Sequence, residues 1–447
     1  MVDSRQAIPG CLFIALPGER ADGHDYVPRA FSQGASLALV QREVDPSVHV
    51  VDLRDKPGLA LDNPLQTPFG LRVENSLHAL QQIARFWRRK LQLRVIGITG
   101  SVGKSTTKEL VAEVLSQRYR TLKNPGSLNN EIGLPVTLLR LSEGYERAVL
   151  EMGFYVPGEI SFLCDIALPQ VGVVTNIGTV HAERAGSQEV IARGKTELVQ
   201  ALPAAPQGVA ILNYDDPWVR GMETQTKARV FFYGLDSHAD LWAEDIQGLG
   251  LEGINFKLHY HEETLSVRVP LIGRHSVHTV LRAAAVGLTE GLTWQEIMDG
   301  LRSGHTQLRM VAVHTDRGAL LLDDTYNASP ESMLAALNLL AEMEGRKIAV
   351  LGDMLELGIY EKYGHEMVGA RVAEVADELV AIGERARVIA ESARLSGLSP
   401  QAITVLDNTE AAVDFLKDRL GEKDAVLIKG SHGMRMDRIV AALEHHG

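Results

Sequence analysis

The sequence predicts an α/β protein of three domains: a central domain with a parallel sheet and an antiparallel insertion, a Rossmann-like α/β domain after it, and a small N-terminal α/β domain. Three observations carry this. The apolar run Arg94-Val-Ile-Gly-Ile-Thr99 stops in a Gly-rich turn and passes straight into a helical pattern, the order of a βα unit. Beyond residue 309, five apolar runs alternate with helical segments, as a largely parallel sheet requires. The length of 447 residues suits roughly three domains of ~150 residues, with boundaries expected at 1–84, 85–308 and 309–447.

Composition narrows the function. Apolar residues make up 45% and charged residues 23%, the balance of a folded, soluble chain. A formal charge of -12 and a pI near 5.7 speak against broad nucleic-acid binding and leave room for a phosphate-bearing small molecule. The two cysteines, Cys11 and Cys164, lie far apart, so neither a disulfide framework nor a cysteine metal site is expected. No basic leader precedes an apolar stretch and no run approaches ~18 apolar residues, so a cytoplasmic protein without membrane insertion is expected.

In the N-terminal domain, Leu12-Phe-Ile-Ala-Leu16 and Leu37-Ala-Leu-Val40 read as strands on either side of the turn-rich loop Pro17 to Asp25, which contains Asp22. Ser4 and Arg5, taken alone, read as solvated surface. From Asn75 to Leu91 the residues Leu77, Leu80, Ile83, Ala84 and Trp87 keep helical spacing. The cluster Arg85, Arg88, Arg89 and Lys90 at the end of that helix suits the dipole and solvent.

The turn after Thr99 is a phosphate loop. Leu110, Val111, Val114 and Leu115 keep one helical face apolar, so the turn sits at a helix N-terminus, where unpaired amides and the macrodipole favour an anion. Ile98 occupies the first glycine slot of the usual G-x-x-x-x-G-K-[ST] pattern, leaving the tighter Thr99-Gly-Ser-Val-Gly-Lys-Ser-Thr106. In it Gly100 and Gly103 let the backbone wrap phosphates, Lys104 reaches the outer ones and Ser105 offers a hydroxyl to Mg2+. This makes the central sheet a P-loop, mononucleotide-binding one.

Arg147-Ala-Val-Leu-Glu-Met-Gly153 and Val171-Gly-Val-Val-Thr-Asn-Ile177 are further strands. Glu151, Asn176 and His181 stand at or beyond their ends, where a parallel sheet places its ligands, and a Mg2+ site there is one reading of them. Lys195 lies in a helical stretch and has no role on physical grounds alone. Between about 228 and 271 short alternating runs predict the antiparallel part. In the last domain polar residues gather at strand ends: Asp323, Asp324, Tyr326 and Asn327, then Asp353 and Glu356, then Lys429, Ser431 and Arg435. A phosphate loop without a Ser-His or Cys-His nucleophile favours phosphoryl transfer from ATP or GTP, with the acceptor left open.

The motifs together resemble the Mur ligase family, over all three domains. They are Thr99 to Thr106, Asn129-Asn-Glu-Ile-Gly-Leu-Pro135, Glu151-Met-Gly153, Thr175-Asn-Ile-Gly178 with His181, Asp323-Asp-Thr-Tyr-Asn-Ala-Ser-Pro330, Val350 to Gly358 and Lys429-Gly-Ser-His-Gly-Met-Arg-Met436. The resemblance implies the dipeptide-adding reaction of peptidoglycan synthesis: ATP phosphorylates the terminal carboxylate of UDP-N-acetylmuramoyl-tripeptide and D-alanyl-D-alanine attacks the acyl phosphate. It implies nucleotide contacts from Thr99, Gly100, Ser101, Val102, Gly103, Lys104, Ser105 and Thr106, with Asp324 and Asn327 at the ATP ribose. It also implies one Mg2+ at Ser105 and Glu151, a second at His181, a carbamylated Lys195 as an anionic Mg2+ ligand, and Arg309 reaching the γ-phosphate. Ser4, Arg5 and Asp22 would hold the uridine nucleotide, and Lys429, Ser431 and Arg435 would face the dipeptide.

A monomer is expected. The family usually carries His-Asn-x-x-Asn where this chain reads His275-Ser-Val-His-Thr279, and the Asp-Asn-Pro-Arg signature of the diaminopimelate-adding branch is absent. A related ligase with a different acceptor, or a nucleotide-binding protein with degraded catalysis, would share the same loop. Whether the third peptide position is diaminopimelate or lysine is not encoded in these motifs.

Overall fold

Short apolar runs bounded by polar turns become the strands of three separate sheets in a computed structural model that describes residues 1–18, 21–54, 66–179, 182–303 and 311–444. The chain divides into two units: Met1–Leu93 with Asn124–Gly144 and Asp165–Leu168, and Arg94–Lys123 with Tyr145–Cys164 and Pro169–Gly447.

The first unit holds a sheet of β1 (Leu12–Ile14), β2 (Leu37–Val40), β3 (Val50–Asp52) and β4 (Phe69–Arg72), in the order β1-β2-β4-β3 and parallel throughout. β3 and β4 are three and four residues long, too short to show a period in the sequence. The helix Ser76–Lys90 starts where the Asn75 side chain accepts from the His78 amide at 2.8 Å. It sinks Leu80 and Ala84 completely, a burial worth roughly 1.5–3 kcal/mol for the leucine. The basic end of this helix departs from the expectation of a solvated cluster. Arg88 is buried, and its guanidinium donates to the carbonyls of Ala167 (2.8 Å), Leu91 (3.1 Å) and Leu93 (3.2 Å), so it serves as a plug for backbone acceptors that have left regular structure.

The second unit holds two sheets. The larger has nine strands: β5 (Arg94–Thr99), β6 (Thr121–Lys123), β7 (Arg147–Glu151), β8 (Val171–Val174), β9 (Val209–Asn213), β10 (Arg229–Gly234), β11 (Leu241–Gly248), β12 (Ile254–Tyr260) and β13 (Glu263–Val269). Their order is β13-β12-β11-β10-β9-β8-β5-β7-β6. β8 and β9 are buried at every residue, the mark of a parallel strand covered on both faces, whereas β12 and β13 alternate. The antiparallel part is β11 to β13 and continues the main sheet as its edge; β10, inside the range expected to alternate, pairs parallel with both neighbours.

The third sheet comprises β14 (Val311–His314), β15 (Leu320–Asp324), β16 (Arg346–Gly352), β17 (Glu378–Ile382), β18 (Ile403–Leu406) and β19 (Asp424–Lys429), ordered β14-β15-β19-β16-β17-β18. The five expected strands are parallel, and β14 adds an antiparallel edge. Among the described residues no helix is long and apolar enough to cross a membrane.

Candidate active site

The carboxyl ends of β5, β7 and β8 meet at the phosphate loop. Thr99 ends β5 fully buried, its hydroxyl donating to the Met152 carbonyl at 3.1 Å. Gly100 then turns at φ +143°, and a Cβ there would lie 1.8 Å from Thr175 Oγ1, so only glycine passes. Gly103, at φ +82°, starts the helix Lys104–Ser116 without a side-chain cap, which leaves the first-turn amides and the dipole to an anion.

A second loop, Thr175 to Gly178, shapes the first. Asn176 accepts the Ser101 amide on its carbonyl and the Val102 amide on Oδ1, both at 2.9 Å, and the Gly178 amide donates to Ser101 Oγ at 2.8 Å. Asn176 is thus scaffold here, by what it touches. Thr106 also lines the loop side of the cleft.

Two lysines converge on one carbonyl. Lys104 Nζ donates to the Gly100 oxygen at 2.8 Å and to the Ser101 oxygen at 3.1 Å, and Lys195 Nζ donates to the same Gly100 oxygen at 3.0 Å. Lys195 has no exposed surface and sits 4.8 Å over the Phe154 ring. Burial, and then the nearby positive charge of Lys104, hold its ammonium well below the usual lysine range. Beside them the Ser105 hydroxyl donates to Glu151 Oε2 at 2.5 Å, and Glu151 is 1% exposed. Among the described residues no group of three or more His, Cys, Asp and Glu gathers as a metal cage. The Ser105–Glu151 oxygen pair nevertheless fits Mg2+, which binds through one or two protein oxygens plus phosphates and water.

The cleft in front of the loop has a volume of about 180 Å3. Ser101 to Thr106 line one side, with His275, Ser276 and Thr279; Asp324, Asn327 and Lys429 line the other. Lys429, 2% exposed at the end of β19, donates to Asp324 Oδ2 at 2.6 Å and to the Asn327 carbonyl at 2.8 Å. Ser431 and Arg435 do not line this cleft. The Ser431 hydroxyl accepts the Leu355 amide at 2.8 Å, and Arg435, in the left-handed region at φ +54°, pairs with Asp437 at 3.0 Å on the surface. Ser276 donates its hydroxyl to the Ile272 carbonyl at 2.7 Å, and Thr279 accepts from Arg282 Nη2 at 2.8 Å. His181 and Arg309 lie outside the described residues.

Sequence reasoning missed Arg282. It is buried, bonded to Thr279 and directed at the Gly103 end of the loop, with Nη2 3.2 Å from where a Cβ at Gly103 would stand. The signal was an arginine amid the apolar residues of the helix Val277–Thr289, next to the run Ala283-Ala-Ala-Val286.

In the first unit Ser4 is buried in a short turn that Asp3 caps, and Arg5 pairs with Asp3 at 2.8 Å on the surface. Asp22 accepts the His24 amide at 3.0 Å and Arg42 Nε at 2.9 Å. Partial burial pulls its carboxyl up, but the hydrogen bonds from His24 and Arg42 outweigh that and hold it well below the carboxylate range. His24 Nε2 accepts the Gln41 amide at 3.0 Å, so the ring proton sits on Nδ1, toward Asp22.

A parallel sheet with a phosphate loop, faced by a second parallel sheet across one cleft, defines a nucleotide-dependent α/β protein of several domains. The Mur ligase middle domain is matched over residues 98–287, the Mur ligase glutamate ligase domain over 308–432 and the Mur ligase family catalytic domain over 1–88. The chain belongs to the Mur ligase family. It is 36% identical over 446 residues to the UDP-N-acetylmuramoyl-tripeptide--D-alanyl-D-alanine ligase of Bacillus subtilis, covering 99% of this chain and 92% of that one. Among solved structures it resembles MurF from Acinetobacter baumannii, with TM-score 0.83, 31% identity and coverage of 99% and 92%. MurF ligase from Thermotoga maritima in complex with ADP superposes with TM-score 0.81, 28% identity and coverage of 99% and 96%.

Proposed function

We propose that the chain is an ATP-dependent ligase that joins D-alanyl-D-alanine to UDP-N-acetylmuramoyl-tripeptide in peptidoglycan synthesis. The reaction is the one named in its full-length relatives, and the ADP in the Thermotoga complex supports ATP as the nucleotide. The observation that carries the reading is the cleft itself: the uncapped helix start and Lys104 face Asp324, Asn327 and Lys429 across it.

In this reading Thr99 to Thr106 wrap the phosphates, and Lys104 gives up its two carbonyl partners to hold the β- and γ-phosphates. Asp324 and Asn327 hold the ribose, and Arg309 reaches the γ-phosphate. A carboxylate oxygen of the tripeptide attacks the γ-phosphorus and ADP leaves. The dipeptide amine then attacks the acyl carbon, phosphate leaves, and the amine gives up a proton to form the amide. Ser105 and Glu151 would hold one Mg2+ and His181 a second, neutralising charge as it develops on the phosphoryl oxygens.

Lys195 gains a role through its depressed basicity. A neutral amine can take up CO2, and the resulting carbamate is an anionic oxygen ligand directed at the loop. Ser4, Arg5 and Asp22 would receive the uridine nucleotide, with Lys429, Ser431 and Arg435 toward the dipeptide. The reading carries with it a monomer working in the cytoplasm.

The test is phosphate release with UDP-N-acetylmuramoyl-tripeptide, with and without D-alanyl-D-alanine, followed by mass spectrometry of the product. Dipeptide-dependent release and a product mass equal to both substrates less water are expected. Release that ignores the dipeptide would reject the assignment.

A further inference from the structure

Beyond the nucleotide cleft, one contact ties the phosphate loop's support to the third sheet. Glu331 lies in the first turn of the helix Pro330–Glu342, whose start is fixed by the reciprocal bonds of Ser329 and Ser332. Its Oε1 accepts the Thr179 amide at 3.2 Å and the Thr179 hydroxyl at 3.5 Å. A Cβ at Gly178 would stand 2.7 Å from that oxygen, so the carboxylate presses directly on glycine backbone. The same Gly178 donates its amide to Ser101 of the phosphate loop.

The contact belongs to a wider grip on this connection. The Glu183 amide donates to the Glu356 carbonyl at 3.3 Å, and the Gln188 amide to the Tyr360 hydroxyl at 3.4 Å, both from the loop after β16. Gln188 in turn donates from Nε2 to the Ile177 carbonyl at 2.8 Å, closing the connection on itself. Glu331 Oε2 is buried and has no hydrogen-bond partner among the described residues. An acid placed only to suit the helix dipole would keep both oxygens in water, so this arrangement has a cost that helix stability does not explain.

We propose that Glu331 is a positioning residue: it clasps Gly178–Thr179 from the third sheet's domain and thereby holds the phosphate loop in register with Asp324 and Lys429 for turnover. The inference rests on the ATP-ligase reading. It predicts that Glu331→Ala lowers kcat about tenfold, the size of one lost charge-assisted hydrogen bond. The Kd for a non-hydrolysable ATP analogue stays within about twofold, because Glu331 does not line the cleft, and the melting temperature moves by no more than roughly 2 °C.

Glu331→Gln keeps the acceptor oxygen and restores most of kcat. Gly178→Ala drives a methyl into the clasp and loses as much as Glu331→Ala, while adding it to Glu331→Ala costs little more, since the three heavy atoms nearest to that methyl all belong to Glu331. Wild-type kcat in Glu331→Ala, equal losses in the Ala and Gln variants, or additive losses in the double variant would each overturn the clasp. Wild-type phosphate release, measured alongside, tests the ligase reading separately.

Discussion

Lys195 and Lys429 are both buried at the carboxyl ends of parallel sheets, with 0% and 2% of their surface exposed, yet their surroundings are opposite. Lys429 has the Asp324 carboxylate at 2.6 Å. Lys195 has a carbonyl and an aromatic ring, and among the described residues it makes no ion pair with a carboxylate. A buried amine beside a carboxylate is held by that partner, whereas one without a counter-charge is driven toward the neutral, nucleophilic form. The third lysine, Lys104, is half-buried at the cleft and donates to the backbone oxygens of Gly100 and Ser101, which a phosphate can replace. Three lysines of identical chemistry thus stand in three different settings, and each can be probed separately.

The largest effect belongs to Lys104. Lys104→Ala should lower turnover by about 10^3-fold or more, because the group it would stabilise carries charge developing in the transition state. Circular dichroism and the melting temperature should stay at wild-type values, since the Gly100 and Ser101 carbonyls it bonds belong to its own turn. Normal turnover in that variant would remove the phosphate-loop assignment.

Lys429→Met should act on stability. It leaves Asp324, whose side chain is 16% exposed, without its ammonium, and losing one member of a buried pair costs about 3 kcal/mol. Urea unfolding would read the loss, and Asp324→Asn in the same background should recover part of it. No recovery would mean that packing, and not the pair, carries the effect.

Lys195→Met should do the reverse, losing function while gaining stability. Activity falls about 10–100-fold if the side chain supports metal binding. The folded state holds Lys195 with a lowered pKa, so the unfolded chain binds more protons and wild-type stability rises with pH toward the ordinary value of 10.5. The stability gain from methionine should therefore be largest near neutral pH and shrink as pH climbs to 10.5. A gain independent of pH would show that the wild-type lysine is not held neutral. Activity of the wild type should also fall in CO2-free buffer and return with bicarbonate.

The same contrast explains what could be read in the chain beforehand. The phosphate loop was legible because strand, glycine turn and helix are contiguous, and each needs a residue type at a fixed offset. The five parallel strands of the third sheet were legible as apolar runs, and their strand-end acids and bases were visible as a set. Which of them meet was not: Asp324 and Lys429 are 105 positions apart and are joined only because β15 and β19 are neighbours in the sheet. The short strands β3, β4 and β14 were missed because three- or four-residue strands show no period, and Arg88 because a cluster of four basic residues near a helix end looks uniformly solvated until one of them is seen turned inward.

The smallest expected effect probes the cleft wall beside the phosphate loop, where hydroxyls stand in place of the family's usual amides. Ser276 spends its hydroxyl on the Ile272 carbonyl and Thr279 receives Arg282, so both side chains are committed to local partners even though they line the cleft. Ser276→Asn would exchange that local bond, worth about 1 kcal/mol, for an amide that reaches into the cleft. The KM for ATP should fall about threefold while the melting temperature drops by a degree or two, the size of one neutral hydrogen bond moved from protein to ligand. Thr279→Asn keeps an acceptor for Arg282 and should alter stability less than Ser276→Asn. If the double variant leaves the KM for ATP unchanged, the nucleotide does not reach this wall, and its grip comes from the phosphate loop and the third sheet alone.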